Sequence, residues 1–132
     1  MNNVDEAPVI LCVPNDPSFL RIVRLVVASI ASDLGFDFDE VEDLRIAADE
    51  LVNLVMSASV PHSSIRVEIF LESHRMLLRA SGSVSNQAAA QELDPLAAQI
   101  VSALVESFDV AVVDGRLEVG FRARPPVRST GG

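Results

Sequence analysis

The sequence predicts an α+β domain in two layers, three helices packed on one face of a mixed, mainly antiparallel sheet. Three observations carry this. Three segments repeat apolar residues at helical spacing, each behind an acidic cap; other segments alternate apolar and polar residues at the strand period; and an Asp-Gly pair joins the last two alternating runs. The expected order is β-α-α-β-β-α-β-β, with helices gathered on one side because every alternating run has a single apolar face.

Taken in order, Val9-Ile10-Leu11-Cys12-Val13 is an apolar run of strand length. Asn15-Asp16-Pro17 opens the first helix with a capping side chain and a proline in the first turn. Leu20, Val23, Val27, Ile30 and Leu34 mark its inner face, and Gly35 its stop. Asp39 with Glu42 is read as the capping box of the second helix, whose buried stripe is Val41, Leu44, Ala48, Leu51 and Val55, ending near Ser57. After Val60-Pro61-His62 comes a half-buried strand with Ile65, Val67, Ile69 and Leu71 inward. It turns at Ser73-His74-Arg75 and returns over Met76 to Ala80. Residues 81–92 read as a small, polar connection. Asp94-Pro95 caps a third helix carrying Leu96, Ile100, Val101 and Leu104, and Asp114-Gly115 closes a hairpin whose second strand turns Leu117, Val119 and Phe121 inward. A single domain over 9–124 results, with a flexible N-terminus at 1–8 and a disordered Pro/Gly/Ser tail at 125–132.

Composition narrows the function. The chain has 132 residues, 49% of them hydrophobic, enough for one core without crosslinks or metals. The net charge is −9, with ten arginines and no lysine, which disfavours nucleic acid as a partner. One cysteine, Cys12, excludes an internal disulfide and reads as inert strand core. No apolar run reaches the roughly 18 residues of a membrane span, and the start lacks a basic leader, so the expected setting is the cytoplasm, away from membranes.

Few residues offer chemistry. His62 and His74 fall in turns with no second ligand at metal spacing, and Gly82 in Ser81-Gly82-Ser83 reads as a turn glycine. Residues 33–50 hold eight acids against Arg45 alone; helix-dipole complementation, worth ~0.3–1 kcal/mol per acid, accounts for those in the first turn but not for Asp49 and Glu50. Asp49 and Asn53 lie one turn apart at the border of the apolar stripe. Such a pair can activate water and hold magnesium, or simply hydrogen-bond each other at a solvated edge; spacing alone favours the simpler reading. On the first helix, Arg21 and Arg24 sit beside Ile22 and Leu25, which is the composition of either a protein-binding patch or a second buried face.

The run PSFLRIVRLVVASIASDLGFDFDEVEDLRIAADELVNLVMSAS, from Pro17 onward, resembles the opening half of the anti-sigma factor serine kinases, small bacterial members of the GHKL (histidine-kinase-like) ATPase superfamily. The element order agrees over roughly residues 9–124, and only the first half carries specific motifs. The resemblance implies a Glu-x-x-x-Asn box whose glutamate is a general base and whose asparagine holds magnesium on ATP. Here the matching residues are Asp49, a shortened and vestigial base, and Asn53. It further implies an Asp-x-Gly-x-Gly motif with the aspartate on adenine. This chain has Ala80-Ser81-Gly82-Ser83-Val84, with Ser81 taken to stand at the aspartate and Gly82 at the first glycine. The family's glycine-bearing lid has no counterpart, since residues 88–96 contain no glycine.

On this resemblance the chain is expected to bind no cofactor strongly. Mg-ATP would enter, with the metal on Asn53, only if the nucleotide site still works. The family's first helix and its arginine engage a sigma factor and, in competition, an anti-anti-sigma protein of the STAS type. The implied partner residues are Arg21, Arg24, Ile22 and Leu25, and homodimerisation is implied too. The expected function is an anti-sigma factor that sequesters a sigma factor until that antagonist releases it. The alternative is an active serine kinase that phosphorylates its antagonist.

Overall fold

The computed structural model describes residues 7–84 and 93–125. Most of the expected flexible ends, and residues 88–92 of the glycine-free segment, lie outside the described residues.

The described elements are β1 (Val9–Pro14), a 3-10 turn (Pro17–Phe19), α1 (Leu20–Asp33), α2 (Phe38–Ala58), β2 (Ser64–Glu72), β3 (Arg75–Ser83), α3 (Pro95–Leu104), β4 (Ser107–Val113) and β5 (Arg116–Ala123). The strands form one sheet in the order β1-β2-β3-β5-β4, and every neighbouring pair is antiparallel. The expected mixture is therefore replaced by a purely antiparallel sheet. Both tight hairpins pair antiparallel by necessity, and β1 and β3 run opposite to the strands they join.

Alternation decides which side of each strand meets the helices. Ile65, Val67 and Ile69 of β2, Met76, Leu78 and Ala80 of β3, and Leu117, Val119 and Phe121 of β5 are all buried. They meet the stripe of α2, where Leu44, Ala47, Ala48, Leu51, Val52, Val55 and Met56 are buried. α2 lies across β3 and β5, α1 packs beside α2, and α3 touches α2 and β4. Removing apolar surface from water at about 25 cal/mol per Å² is what holds these layers together.

Four local expectations are corrected. The capping box of α2 sits two residues earlier than read: the Asp37 carboxylate accepts from the Glu40 backbone N–H at 2.8 Å, and Glu40 accepts from the Asp37 N–H at 2.7 Å. Both Asp37/Glu40 and Asp39/Glu42 have the box spacing. Phe36, buried at 8% exposure, leaves the chain ready to enter the helix at once. Cys12 is exposed, because its neighbours Leu11 and Val13 take the inward side of edge strand β1. Leu96 is 67% exposed, and Ala97 and Val101 bury the inner face of α3 instead. Finally β3 runs on through Ser83, so Gly82 is a strand residue rather than a turn.

Gly82 has a packing reason to be glycine. A methyl group there would run into the Ser59 hydroxyl and lie 2.9 Å from Ile65 Cδ1 and 3.1 Å from Val55 Cγ1. Ser59 follows the last turn of α2 and bridges to Val84, so the end of the helix presses directly on the strand. Asn15 ties down the same end. Its side-chain amide donates to the carbonyls of Met56 (3.0 Å), Ser59 (3.2 Å) and Val60 (3.0 Å). These carbonyls at and just past a helix end gain a partner from a residue more than 40 positions away in sequence.

Candidate functional site

α2 presents Asp49 and Asn53 one turn apart, as their spacing requires. Asp49 is half-buried against α1, and Asn53 is exposed. They do not bond to each other. Instead the Arg24 guanidinium reaches across from α1, its Nε lying 2.8 Å from Oδ1 and 2.9 Å from Oδ2 of Asp49. Among the described residues the Asn53 side chain has no hydrogen bond, so its amide faces solvent with both functions available.

Arg24 therefore looks inward to α2, and the remaining members of the α1 group look outward. Arg21 is exposed, Leu25 is 69% exposed and Ile22 is half-buried. The outer surface of α1 thus joins Arg21, a cation with no ion pair among the described residues, to an exposed aliphatic side chain, alongside the Arg24–Asp49 pair.

Ser81 is not brought to this site. Inward positions of β3 are Ala80 and Gly82, so Ser81 between them faces the side of the sheet that the helices leave open. There its hydroxyl accepts from Arg116 at 3.0 Å, and the same guanidinium donates to Ser83 Oγ at 3.2 Å. The residue two positions before Gly82, on the helix side, is Ala80, 1% exposed. Counting parity from Met76 along the strand identifies Ala80, a signal present in the sequence. The role of Arg116 has no local signal, since it depends on how β5 pairs with β3.

The other electrostatics are ordinary. Arg45 pairs with Glu42 at 2.6 Å, within the acidic first half of α2. The backbone N–H and hydroxyl of Ser18, donating to the Asp16 carboxylate, hold its pKa below the usual carboxylate value. His62 and His74 are exposed in turns at positive φ, and no cluster of three metal-ligating side chains occurs among the described residues. No helix among the described residues is long and apolar enough to cross a membrane.

No family model matches the chain. The serine-protein kinase RsbW of Bacillus subtilis is 41% identical over 49 residues, 37% of this chain and 29% of that protein. RsbW of Halalkalibacterium halodurans is 34% identical over 67 residues, 50% of this chain and 41% of the relative. The chain thus matches less than half the length of these relatives. A crystal structure of the RsbU and RsbW domains of a Mycobacterium tuberculosis protein superposes with a TM-score of 0.68 at 17% identity, covering 92% of this chain and 34% of that one. The chain is related in sequence to RsbW serine-protein kinases, and nearly all of it shares a fold with that structure.

Proposed function

We propose that this chain is an anti-sigma factor, acting in the cytoplasm, which holds a sigma factor by direct contact and releases it to an anti-anti-sigma protein of the STAS type. The observation that carries this reading is the outer surface of α1. Arg21 and the 69% exposed Leu25 present a cation and an apolar anchor to solvent. An exposed aliphatic beside arginine is a surface that gains most by docking a protein. Homodimerisation is part of the proposal, with Ile22 and Leu25 as contributors, and the net charge of −9 favours a basic region on the partner.

Serine-protein kinases are the named relatives, so a nucleotide is the natural ligand to test against the site. The residues present do not fit it well. Asp49 is shorter than glutamate, and both its carboxylate oxygens are already engaged by Arg24 Nε, which turns them toward α1. The inward position that would offer adenine a carboxylate is Ala80, and Ser81 faces the other way. Asn53 alone keeps its expected form. The kinase reading, with Mg-ATP as phosphoryl donor, therefore ranks second, favoured by the exposed Asn53 amide and the relatives' name.

Affinity purification from the source cell followed by mass spectrometry tests the first reading, with recovery of a sigma subunit expected. Leu25→Asp and Arg21→Ala should then each weaken the purified complex about tenfold or more. Titration with Mg-ATP should give at most millimolar binding. Tight Mg-ATP binding that is lost in Asn53→Ala would favour the kinase instead.

A further inference from the structure

A cavity among the described residues lies away from Asn53, at the opposite end of α2. It is open to solvent on one side and offers about 500 Å³ between the start of α2, the end of α3 and the end of β5. This volume lies within the range of roughly 300–1,000 Å³ typical of small-molecule sites and exceeds what one protein side chain fills. The position of Asp43, ten residues before Asn53, separates the two places by about 15 Å along the helix.

Its walls combine two chemistries. Phe36, Leu44, Leu104 and Ala123 give an apolar lining, and three carboxylates, Glu40, Asp43 and Glu106, stand around it with Arg124. Two of those carboxylates are already engaged. Glu40 completes the capping box, and Glu106 is held by Arg75 at 3.1 Å and Arg124 at 3.6 Å. Asp43 is different: it is half-buried and has no hydrogen bond or ion pair among the described residues. A carboxylate with spare acceptor capacity at the edge of an apolar cavity is matched by a cation carried on an apolar body.

We propose that this cavity binds a small amphiphilic organic cation, an aliphatic or aromatic group ending in an ammonium or guanidinium, with Asp43 as the counter-ion and Phe36, Leu44 and Leu104 around the apolar part. Because the cavity is bounded by both α2 and α3, an occupant fastens α3 to the rest of the domain. The site is separate from the α1 surface, and the proposal stands whether or not a sigma factor is the partner.

The probe is a matched set of three six-carbon compounds: n-hexylammonium, n-hexanol and n-hexanoate. Each is titrated into the full chain while backbone amide resonances are followed by NMR. Hexylammonium should shift Phe36, Leu44, Leu104 and Ala123 saturably, binding about tenfold more tightly than hexanol, with hexanoate weakest. Asp43→Asn, a half-exposed change that leaves the fold intact, should remove the difference between the first two. Ala103→Phe, which places a ring in the cavity mouth, should abolish binding of all three. Equal affinities for the three compounds, shifts centred elsewhere, absence of saturation, or an ammonium preference surviving Asp43→Asn would each overturn the proposal.

Discussion

Arg24 of α1 donates from Nε to both carboxylate oxygens of Asp49 on α2, at 2.8 and 2.9 Å, joining the helix proposed to meet the partner to the first member of the Asp49/Asn53 pair. The two side chains keep 36% and 32% exposure, so water screens the pair and its contribution to stability stays below about 1 kcal/mol. Arg24→Ala and Asp49→Asn should each cost that little. The double variant should cost no more than either alone, because both changes remove the same interaction. Urea denaturation of the four proteins measures the coupling; full additivity would show that the pair is not formed in solution.

Gly82 should tolerate no side chain while Ser59 is present. Gly82→Ala places a methyl group against the Ser59 hydroxyl and two core side chains, an overpacking expected to cost about 1–3 kcal/mol. Ser59→Ala removes the nearest obstruction, so the double variant should recover part of the loss. Thermal denaturation of both decides it.

The position of the α2 cap makes a paired prediction. Asp37→Ala removes the acceptor for the Glu40 N–H and should destabilise the domain by about 1 kcal/mol. Asp39→Ala, in the first turn but not at the cap, should lose only a small dipole term of about 0.3–1 kcal/mol that salt screens. Chemical denaturation at low and high salt separates the two, since only the Asp39 effect should fade.

Asp16 sets a contribution at acid pH. Its folded pKa lies below the ordinary carboxylate value because the Ser18 N–H and hydroxyl donate to it. A depressed acid stabilises the folded state above its unfolded pKa. That contribution is lost as pH falls through the folded value. NMR titration of the carboxyl should find its midpoint below the ordinary carboxylate value, and Asp16→Asn should flatten the acid limb of the stability curve.

The elements themselves were readable because their signals are local. Apolar spacing placed α1, α2 and α3 to within a few residues, alternation placed β2 and β5, and Asp114-Gly115 marked the last hairpin, with both residues at positive φ. Where two local signals competed, as Asp37/Glu40 against Asp39/Glu42, neighbouring packing chose. Within the candidate site, helical spacing alone puts Asp49 and Asn53 one turn apart and sets Leu25 off the inner stripe of α1, while leaving open whether a second element covers it.

Other features needed atoms far apart in the chain to meet. Arg24 could be placed on a helix face, but only the packing of α1 against α2 brought it onto Asp49 rather than into solvent. Only sheet pairing set Arg116 beside Ser81, and only the close approach of α2 to β3 made Gly82 a contact residue. Asn15 likewise found the carbonyls of Met56, Ser59 and Val60 through the fold. Periodicity fixes which way a side chain points from its own element. What it meets there depends on the approach of a second element, which short-range spacing does not encode.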